Sequence, residues 1–468
     1  MDTKISNEEH IAHCLILPFP NQGHINPMLQ FAKRLAHKRL KITFTVTKFL
    51  FTKEFSGGGS ISIRAISDGF DEGGRAQAKT SEEYQIRFNR VGRETLTHLL
   101  LDLDKSGCPV DCVIYDPFIP WALDVAKGFG ISAAAFFTQS CAVDLIYYQV
   151  YKGDLKLPLS ENEVVVVVEG LPPLKPEEMP SFIYHHGSYP ATFQMISDQF
   201  RNVDKADWIL VNTFYKLEEE VIDWMSKILP LKTIGPTIPS MYLDKRIQED
   251  TDYGLNMLKP LTDICINWLN QQQPSSVIYV SFGSLVKLSL KQTQELSHAL
   301  RKCDKRFLWV VRSSEEANKL PVNFSKDTFN KGLIVSWSPQ LQVLSHDSIG
   351  CFITHCGWNS VLEGLSMGVP MVAMPQWTDQ STNAKFVVDV WKTGIKARMD
   401  EKGLVRQEEI SRCLKLVMEG EDGEKIRMSA AKWKEMAKEA VDEGGSSDMN
   451  IEEFVSRLRK SNFRGTPN

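Results

Sequence analysis

The stretch at residues 337–380 constrains the fold more than any other part of the chain. Residues 350–353 form an apolar run between polar residues, which is typical of a short buried strand. Residues 358–367 carry apolar side chains at helical spacing and end at Gly368, and residues 369–374 return to an apolar run. This strand–turn–helix–strand order predicts an α/β sheet, in which ligands bind at the carboxyl ends of the strands.

The turn between the first strand and the helix carries groups that suit a phosphate. Asn359 and Ser360 open the predicted helix, where free backbone N–H groups and the positive end of the helix dipole attract anions. His355 precedes them and can donate a further hydrogen bond. A glycine turn at residues 281–284 follows another apolar run and can approach a phosphate closely, which makes Ser284 a further candidate.

Other side chains of residues 337–380 suit the remaining parts of a nucleotide sugar. Trp337 offers a flat face on which a base can stack. Glu363 lies one helical turn after Ser360, so its carboxylate can accept hydrogen bonds from two ribose hydroxyls. Asp379 and Gln380 end the stretch with acceptors and donors that match sugar hydroxyls. Each residue alone is more often structural, but their order and spacing together predict a nucleotide-sugar site.

Over its whole length this stretch resembles the C-terminal signature of plant secondary-product UDP-glycosyltransferases, and the resemblance extends to most of the chain. It implies an inverting enzyme of the GT-B fold, in which two Rossmann-like domains face a cleft. It also implies that Gln340 lies near the uridine and that Trp358 contacts the sugar together with Asp379 and Gln380. Ser338 departs from the family, which usually has cysteine there. Because serine is similarly small, we expect little effect.

Composition indicates an ordinary globular protein. The 468 residues are 43% hydrophobic and 24% charged, with a net charge of −4. Because no block of like charge occurs, nucleic acid and anionic membranes are poor partners. The nine cysteines are scattered, several of them in apolar runs, which favours reduced thiols over disulfides. The polar N-terminus and the lack of a span-length apolar stretch predict a cytoplasmic protein without integral membrane association, which we expect to be a monomer.

The chain as a whole predicts two successive halves of alternating strands and helices. We expect an α/β fold with two doubly wound, Rossmann-like domains that face a cleft. Residues 1–236 would bind the acceptor, residues 237–260 would form a linker, and residues 261–445 would bind the UDP-sugar. The resemblance adds that a last helix, at residues 446–460, returns to the first domain.

Two residues of the first half are candidates for catalysis. His24 precedes a predicted helix at residues 25–37, and Asp116 follows a predicted strand at residues 110–115, so both lie where strands end. An imidazole can take a proton from an acceptor near neutral pH, and a carboxylate on its other nitrogen can fix the tautomer. The resemblance gives both residues the same roles.

Two other functions are compatible with a nucleotide-sugar site. One is a non-catalytic protein that binds a nucleotide sugar, and the other is another enzyme of the same fold class, such as a nucleotide-sugar epimerase. The pair of His24 and Asp116 favours the transferase, because a binding protein needs no base beside the sugar.

The expected donor is UDP-glucose, used without a metal or cofactor. Gln380 ends a signature that resembles glucose-using members, and the helix start at Asn359 meets the phosphate charge. Asp102 and Asp104 form a D-x-D pattern of the kind that binds metal in some other glycosyltransferases. They lie at a predicted helix end rather than a strand end, which disfavours a metal site.

The expected acceptor is a hydrophobic small molecule with a hydroxyl or carboxyl oxygen. The resemblance is to members that act on terpenoids, steroids and small aromatic acids, and it favours a steroid, a triterpenoid or a phenolic compound. Residues 140–152 and 164–186 are predicted to be loops that shape the pocket. Pockets of this kind use large apolar surfaces, and the candidate lining residues are Phe118, Trp121, Phe137, Phe182 and Tyr184.

Overall fold

The first half of the chain builds a parallel sheet. The computed structural model describes residues 11–52, 60–160, 164–255, 258–312 and 319–461, so the polar N-terminus at residues 1–10 lies outside the described residues. The strands are β1 His13–Leu17, β2 Lys41–Thr47, β3 Ile61–Ile66, β4 Cys112–Tyr115, β5 Ser132–Phe137, β6 Trp208–Val211 and β7 Leu231–Thr233. They are ordered β3-β2-β1-β4-β5-β6-β7, and each neighbouring pair is parallel.

The second half builds another parallel sheet. Its strands are β8 Val277–Ser281, β9 Arg306–Val310, β10 Gly332–Val335, β11 Ile349–Thr354, β12 Met371–Ala373 and β13 Gly394–Lys396, in the order β10-β9-β8-β11-β12-β13. In both sheets the strand order reverses between the first strand of the half and its fourth, which is the doubly wound arrangement. The predicted fold class of two Rossmann-like α/β units is confirmed.

Helices cover these sheets. In the first half they are α1 Gln22–His37, α2 Lys48–Phe51, α3 Ser81–Lys105, α4 Trp121–Gly128, α5 Cys141–Lys152, α6 Ser181–Tyr184, α7 Pro190–Asp198 and α8 Glu219–Met225. In the second half they are α9 Thr262–Leu269, α10 Leu290–Lys302, α11 Phe324–Asp327, α12 Gln340–Leu344, α13 Trp358–Met367, α14 Gln380–Lys385, α15 Gln407–Met418, α16 Gly420–Val441 and α17 Ser446–Ser461.

The central strands are buried on both faces. Every residue of β1, β4 and β11 is buried, which explains why these strands appear in the sequence as continuous apolar runs rather than alternating ones. On one face of the first sheet, Phe31 of α1 and Phe454 of α17 belong to the same apolar cluster as Phe136 of β5. Helices α3, α4 and α5 contribute to the cluster on the other face.

The chain crosses between the two halves twice within the described residues. The segment after β7 is held against α1, where Arg34 forms an ion pair with Asp244 at 2.7 Å. The second crossing lies between α16 and α17, and Phe454 of α17 packs edge-on against Trp208 of β6 at 5.2 Å. The last helix thus packs on the first sheet. The exact domain boundaries at residues 236, 260 and 445 stay a prediction.

Two local predictions are wrong. Residues 140–152 were predicted as loop, but residues 141–152 form helix α5, which begins after Ser140 and ends at Gly153 in the left-handed conformation. Residues 141–147 are all buried, so the segment lacks the one-sided apolar period by which a helix is recognised. Helix α1 begins at Gln22 rather than at residue 25, which places His24 inside its first turn.

Candidate active site

A cavity of about 370 Å³ is lined by residues from both halves. His24 and Ser284 follow β1 and β8, the strands at which the two sheet orders reverse, and His355 follows β11 beside β8. Open α/β sheets bind their ligands at this position. The predicted donor residues line the cavity together with His24: Ser284, Trp337, Gln340, His355, Trp358, Asn359, Ser360, Glu363, Asp379 and Gln380.

His24 and Asp116 form a hydrogen-bonded pair. The Nδ1 atom of His24 lies 2.6 Å from Oδ2 of Asp116, and the Thr138 hydroxyl lies 3.1 Å from the same nitrogen. Asp116 is fully buried, and its Oδ1 accepts a hydrogen bond from the backbone N–H of Phe118 at 3.0 Å. When the Nδ1–H group donates a hydrogen bond to Asp116, the neutral ring has no proton on Nε2, and that nitrogen has a free lone pair. The ring can therefore accept a proton from a molecule in the cavity.

Phe118 and Phe182, both predicted to contact the acceptor, line the cavity. The Phe118 ring lies against His24 with 4.9 Å between ring centroids. Phe182 packs edge-on against Trp377 at 5.8 Å. These aromatic rings give the part of the cavity near His24 an apolar wall.

The other predicted acceptor residues do not line the cavity. Trp121 is buried in the core and packs edge-on against Phe88 at 5.6 Å. Phe137 is buried and stacks on Phe200. Tyr184 is 46% exposed at the surface. Whether an aromatic side chain faces the core or the cavity depends on the layer that packs against its helix or strand. A position near cleft residues in the sequence does not determine this.

His355 is held tightly at the end of β11. A Cβ atom on Gly283 would lie 2.7 Å from the imidazole Nε2, and one on Gly357 would lie 2.6 Å from the same atom. Burial, together with the cation of Arg312, lowers the pKa of His355 to about 4, so the ring is neutral at pH 7. Its buried Nδ1 has no hydrogen-bond partner among the described residues. Because α13 begins beside it and its N-cap residue Gly357 gives no side-chain cap, this end of the cavity fits a diphosphate.

Glu363 is buried and accepts hydrogen bonds at both carboxylate oxygens. The Tyr253 hydroxyl donates to Oε1 at 2.8 Å, and the Gln340 amide donates to Oε2. The same amide donates to the Ser360 hydroxyl at 2.9 Å, and its oxygen accepts from the Tyr279 hydroxyl at 3.1 Å. Burial raises the pKa of Glu363 to about 7. A carboxylate in such a setting can exchange these donors for ribose hydroxyls.

Ser338 has a defined partner in place of the cysteine that is usual in the family. Its hydroxyl lies 2.8 Å from the hydroxyl of Tyr279, a buried residue that lines the cavity. The neighbouring Trp337 is half-buried and lines the cavity. The serine therefore adds a hydrogen bond to the base of the predicted uracil site.

Asp379 and Gln380 lie at the start of α14. The Gln380 side-chain oxygen accepts from the backbone N–H groups of residues 376 and 377, at 2.9 and 3.1 Å, which fixes the loop before the helix. Asp379 accepts hydrogen bonds from the Thr378 hydroxyl and from the Asn383 amide. Burial raises the pKa of Asp379 and these hydrogen bonds oppose the rise.

Two predicted donor residues also join the halves. The Trp358 indole donates from Nε1 to the backbone oxygen of Asn212 at 2.7 Å. The Asn359 amide donates to the backbone oxygen of Gly23 at 2.8 Å, next to His24. The start of α13 thus contacts the start of α1, which brings the predicted phosphate site close to the predicted base.

Sequence reasoning missed Tyr253, Tyr279, Thr138 and Asn383. Thr138 follows β5 as Asp116 follows β4, and Asn383 lies one turn after Asp379, so position alone could have suggested both.

Within the described part of the chain, no group of three or more His, Cys, Asp or Glu side chains could hold a metal ion. None of the described helices is long and apolar enough to cross a membrane.

The two doubly wound sheets, the cavity and its His24, which is paired with the buried Asp116, fit a nucleotide-sugar-dependent transferase. A family model described as UDP-glucoronosyl and UDP-glucosyl transferase matches residues 191–433. UDP-glycosyltransferase 74E2 of Arabidopsis thaliana is 48% identical over 448 residues, which cover 95% of this chain and 98% of that protein. The chain belongs to this family and is a UDP-glycosyltransferase of the plant UGT74 type.

Three further comparisons agree with this assignment. The flavonol 7-O-beta-glucosyltransferase UGT74F1 of Arabidopsis thaliana is 47% identical, over 97% of this chain and 99% of that protein. The crystal structure of Os79 from O. sativa in complex with UDP superposes with a TM-score of 0.90 at 40% identity, over 95% of this chain and 100% of that chain. Os79 in complex with U2F and trichothecene gives a TM-score of 0.86 at the same identity and coverage.

Proposed function

We propose that the enzyme transfers glucose from UDP-glucose, with inversion, to a hydroxyl or carboxyl oxygen of a hydrophobic small molecule. The observation that carries this proposal is that His24, hydrogen-bonded to the buried Asp116, lines the same cavity as the ten donor residues. The proposed acceptor is a steroid, triterpenoid or phenolic compound, supported by the apolar wall of Phe118 and Phe182. Two similar proteins support a small-molecule acceptor, since one is named for a flavonol and Os79 has been crystallised with a trichothecene. A monomeric state and a cytoplasmic location stay predictions.

In the proposed mechanism, His24 is the general base. The acceptor oxygen attacks the anomeric carbon as its proton passes to Nε2 of His24, and the bond to UDP breaks on the opposite face of the sugar. Asp116 holds Nδ1 and stabilises the imidazolium that forms. The N-terminus of α13 and His355 stabilise the negative charge that develops on the diphosphate.

The donor contacts follow from the same geometry. Trp337 would stack on uracil and Gln340 would lie beside the uridine, whose ribose hydroxyls would bind Glu363. Ser284, His355, Asn359 and Ser360 would bind the diphosphate. Trp358, Asp379 and Gln380 would contact the glucose.

The test is His24→Ala, assayed by UDP release from UDP-glucose with a flavonol acceptor. Because general-base catalysis contributes about 10²–10⁴-fold, kcat should fall by at least about a hundredfold. Calorimetry with UDP should give nearly the same Kd as for the wild-type enzyme, since His24 does not contact the nucleotide in this mechanism. Asp116→Ala should cost less with a carboxylate acceptor, which arrives without a proton to remove.

Two results would contradict the proposal. Near-normal turnover of His24→Ala on an aliphatic hydroxyl would exclude His24 as the base. Faster turnover of the wild type with UDP-galactose or UDP-glucuronate would exclude glucose as the preferred sugar. A non-catalytic binding protein is not favoured, because it needs no base beside the sugar. An epimerase is not favoured, because it needs no apolar wall for a second substrate.

A further inference from the structure

Asn383 is a buried amide that contacts three separate parts of the molecule. It lies in α14 and is 1% exposed. Its Nδ2 donates to Oδ2 of Asp379 at 2.7 Å and to the backbone oxygen of Cys356 at 3.0 Å. Its Oδ1 accepts from the Ser140 hydroxyl at 3.0 Å. Because two acceptors face the nitrogen and a hydroxyl faces the oxygen, the hydrogen-bond partners fix the amide orientation.

The first two partners belong to the donor site. Asp379 lines the cavity and is proposed to contact glucose, and Asn383 and Thr378 each hold one of its carboxylate oxygens. Cys356 lies between β11 and α13 with φ +64°, a conformation that costs energy for a residue other than glycine. The hydrogen bond to its carbonyl stabilises the turn that sets the N-terminus of α13.

The third partner belongs to the first half of the chain. Ser140 precedes α5, where its hydroxyl also accepts from the backbone N–H of Val143 at 3.4 Å. Thr138 and Gln139, immediately before it, line the cavity on the side of His24. Asn383 therefore links the wall beside the base to the wall beside the predicted sugar.

We propose that Asn383 is a positioning residue that fixes the Asp379 carboxylate relative to the N-terminus of α13 and ties both to the acceptor side of the cavity. The inference rests on the proposed function in one respect, the contact between Asp379 and glucose. Without the amide, Oδ2 of Asp379 loses this donor, and the carboxylate keeps its hydrogen bonds to the Thr378 hydroxyl and the Trp358 backbone but is held less firmly towards the sugar. The loss should affect the sugar and not the nucleotide, because Asn383 contacts neither Trp337 nor Glu363 among its described hydrogen bonds.

The test compares Asn383→Ala, Asn383→Asp and a matched control, Gln292→Ala. Gln292 is also a buried amide, with hydrogen bonds at 2.9 Å to the backbone N–H and oxygen of Val405, but it lies in α10 and does not line the cavity. Calorimetry measures the binding of UDP and of UDP-glucose, and UDP release with a flavonol measures turnover. Gln292→Ala measures the effect of losing a buried amide that lies outside the cavity.

For Asn383→Ala, we expect UDP affinity within about twofold of wild type and a loss of about tenfold or more in UDP-glucose affinity and in kcat, since a charge-assisted hydrogen bond is removed. Asn383→Asp should lose at least as much although it has the same shape, because it places a second carboxylate against Asp379. Gln292→Ala should change thermal stability without changing the ratio of the two affinities.

The inference is overturned if Asn383→Ala weakens UDP and UDP-glucose equally, if Asn383→Asp retains normal affinity for UDP-glucose, or if Gln292→Ala shifts the ratio as much. These binding results decide the role of Asn383 even if the wild type transfers glucose to no acceptor. That outcome would reject the proposed transfer reaction and leave the positioning role to be judged by calorimetry.

Discussion

Tyr253→Phe should tighten the binding of UDP. Tyr253 comes from the segment that joins the two halves, and its hydroxyl donates to Oε1 of Glu363 at 2.8 Å. With the Gln340 amide on Oε2, both oxygens of the carboxylate proposed to bind ribose already have donors. Because Glu363 is buried, which limits access to its remaining lone pairs, we expect the ribose hydroxyls to replace at least one of these contacts. Removing the Tyr253 hydroxyl removes a competitor for Glu363.

The size of the effect follows from the type of hydrogen bond. A hydrogen bond to a charged group is worth about 1.5–3 kcal/mol net of hydration. At the lower end, its removal corresponds to about a tenfold decrease in the Kd of UDP. The segment around Tyr253 is anchored independently, because Lys33 donates to Asp250 at 2.7 Å and Gln30 donates to the backbone oxygen of Asp252 at 2.9 Å. The substitution should therefore leave the segment in place.

The assay is titration calorimetry with UDP and, separately, with inorganic pyrophosphate, which lacks a ribose. Tyr253→Phe should change the first affinity and not the second. Tyr242→Phe is the matched control, since Tyr242 lines the same cavity but its hydroxyl interacts with Gln342. Unchanged or weaker UDP binding by Tyr253→Phe would refute the reasoning, because it would mean that ribose and the tyrosine do not compete for Glu363.

Three further predictions follow from the site and its surroundings. Burial raises the pKa of Glu363 to about 7, so UDP-glucose affinity should fall as the pH drops below 7, by up to about tenfold per unit, and Glu363→Gln should abolish this dependence in calorimetry. Turnover in EDTA should equal turnover in magnesium, and activity restored only by a divalent cation would contradict the metal-free mechanism. Asp144 is buried, and neither of its carboxylate oxygens has a hydrogen bond among the described residues. Burial raises its pKa in the folded state, so its charge lowers the free energy of unfolding increasingly as the pH rises above the unfolded-state pKa. Asp144→Asn should therefore raise Tm more at pH 8 than at pH 5, and an equal shift at both would show that ionisation is not the cause.

The donor site could be predicted because most of it lies in one contiguous segment. Between His355 and Glu363, the distances are set by one strand end and two turns of helix α13, and these local geometries follow from apolar periodicity. The pair of His24 and Asp116 was also predictable, since parallel neighbouring strands deliver their carboxyl ends to one edge. Both inferences use only local structure and the direction of the strands.

The remaining contacts depend on packing between distant residues. Tyr253 and Glu363 are 110 positions apart, and nothing local to either indicates the contact. Phe118 and Trp121 are three positions apart, yet one lines the cavity and the other lies in the core, because helix α4 begins at Trp121 and turns this first residue inward. Helix α5 was missed for the same kind of reason, since neighbours on every side bury it.

The two crossings of the chain limit how the halves can move against each other. A rigid body attached to another at one point can rotate about three axes. A body attached at two points can rotate only about the line that joins those points. Here one attachment is the segment tied to α1 by Arg34 and Asp244, and the other is the passage from α16 into α17. We expect the halves to rotate mainly about the line through these two passages. Opening along that angle has to separate Asn359 from Gly23 and Trp358 from Asn212. We therefore expect the rotation that opens the cavity to both substrates to be the one that separates the base from the phosphate site.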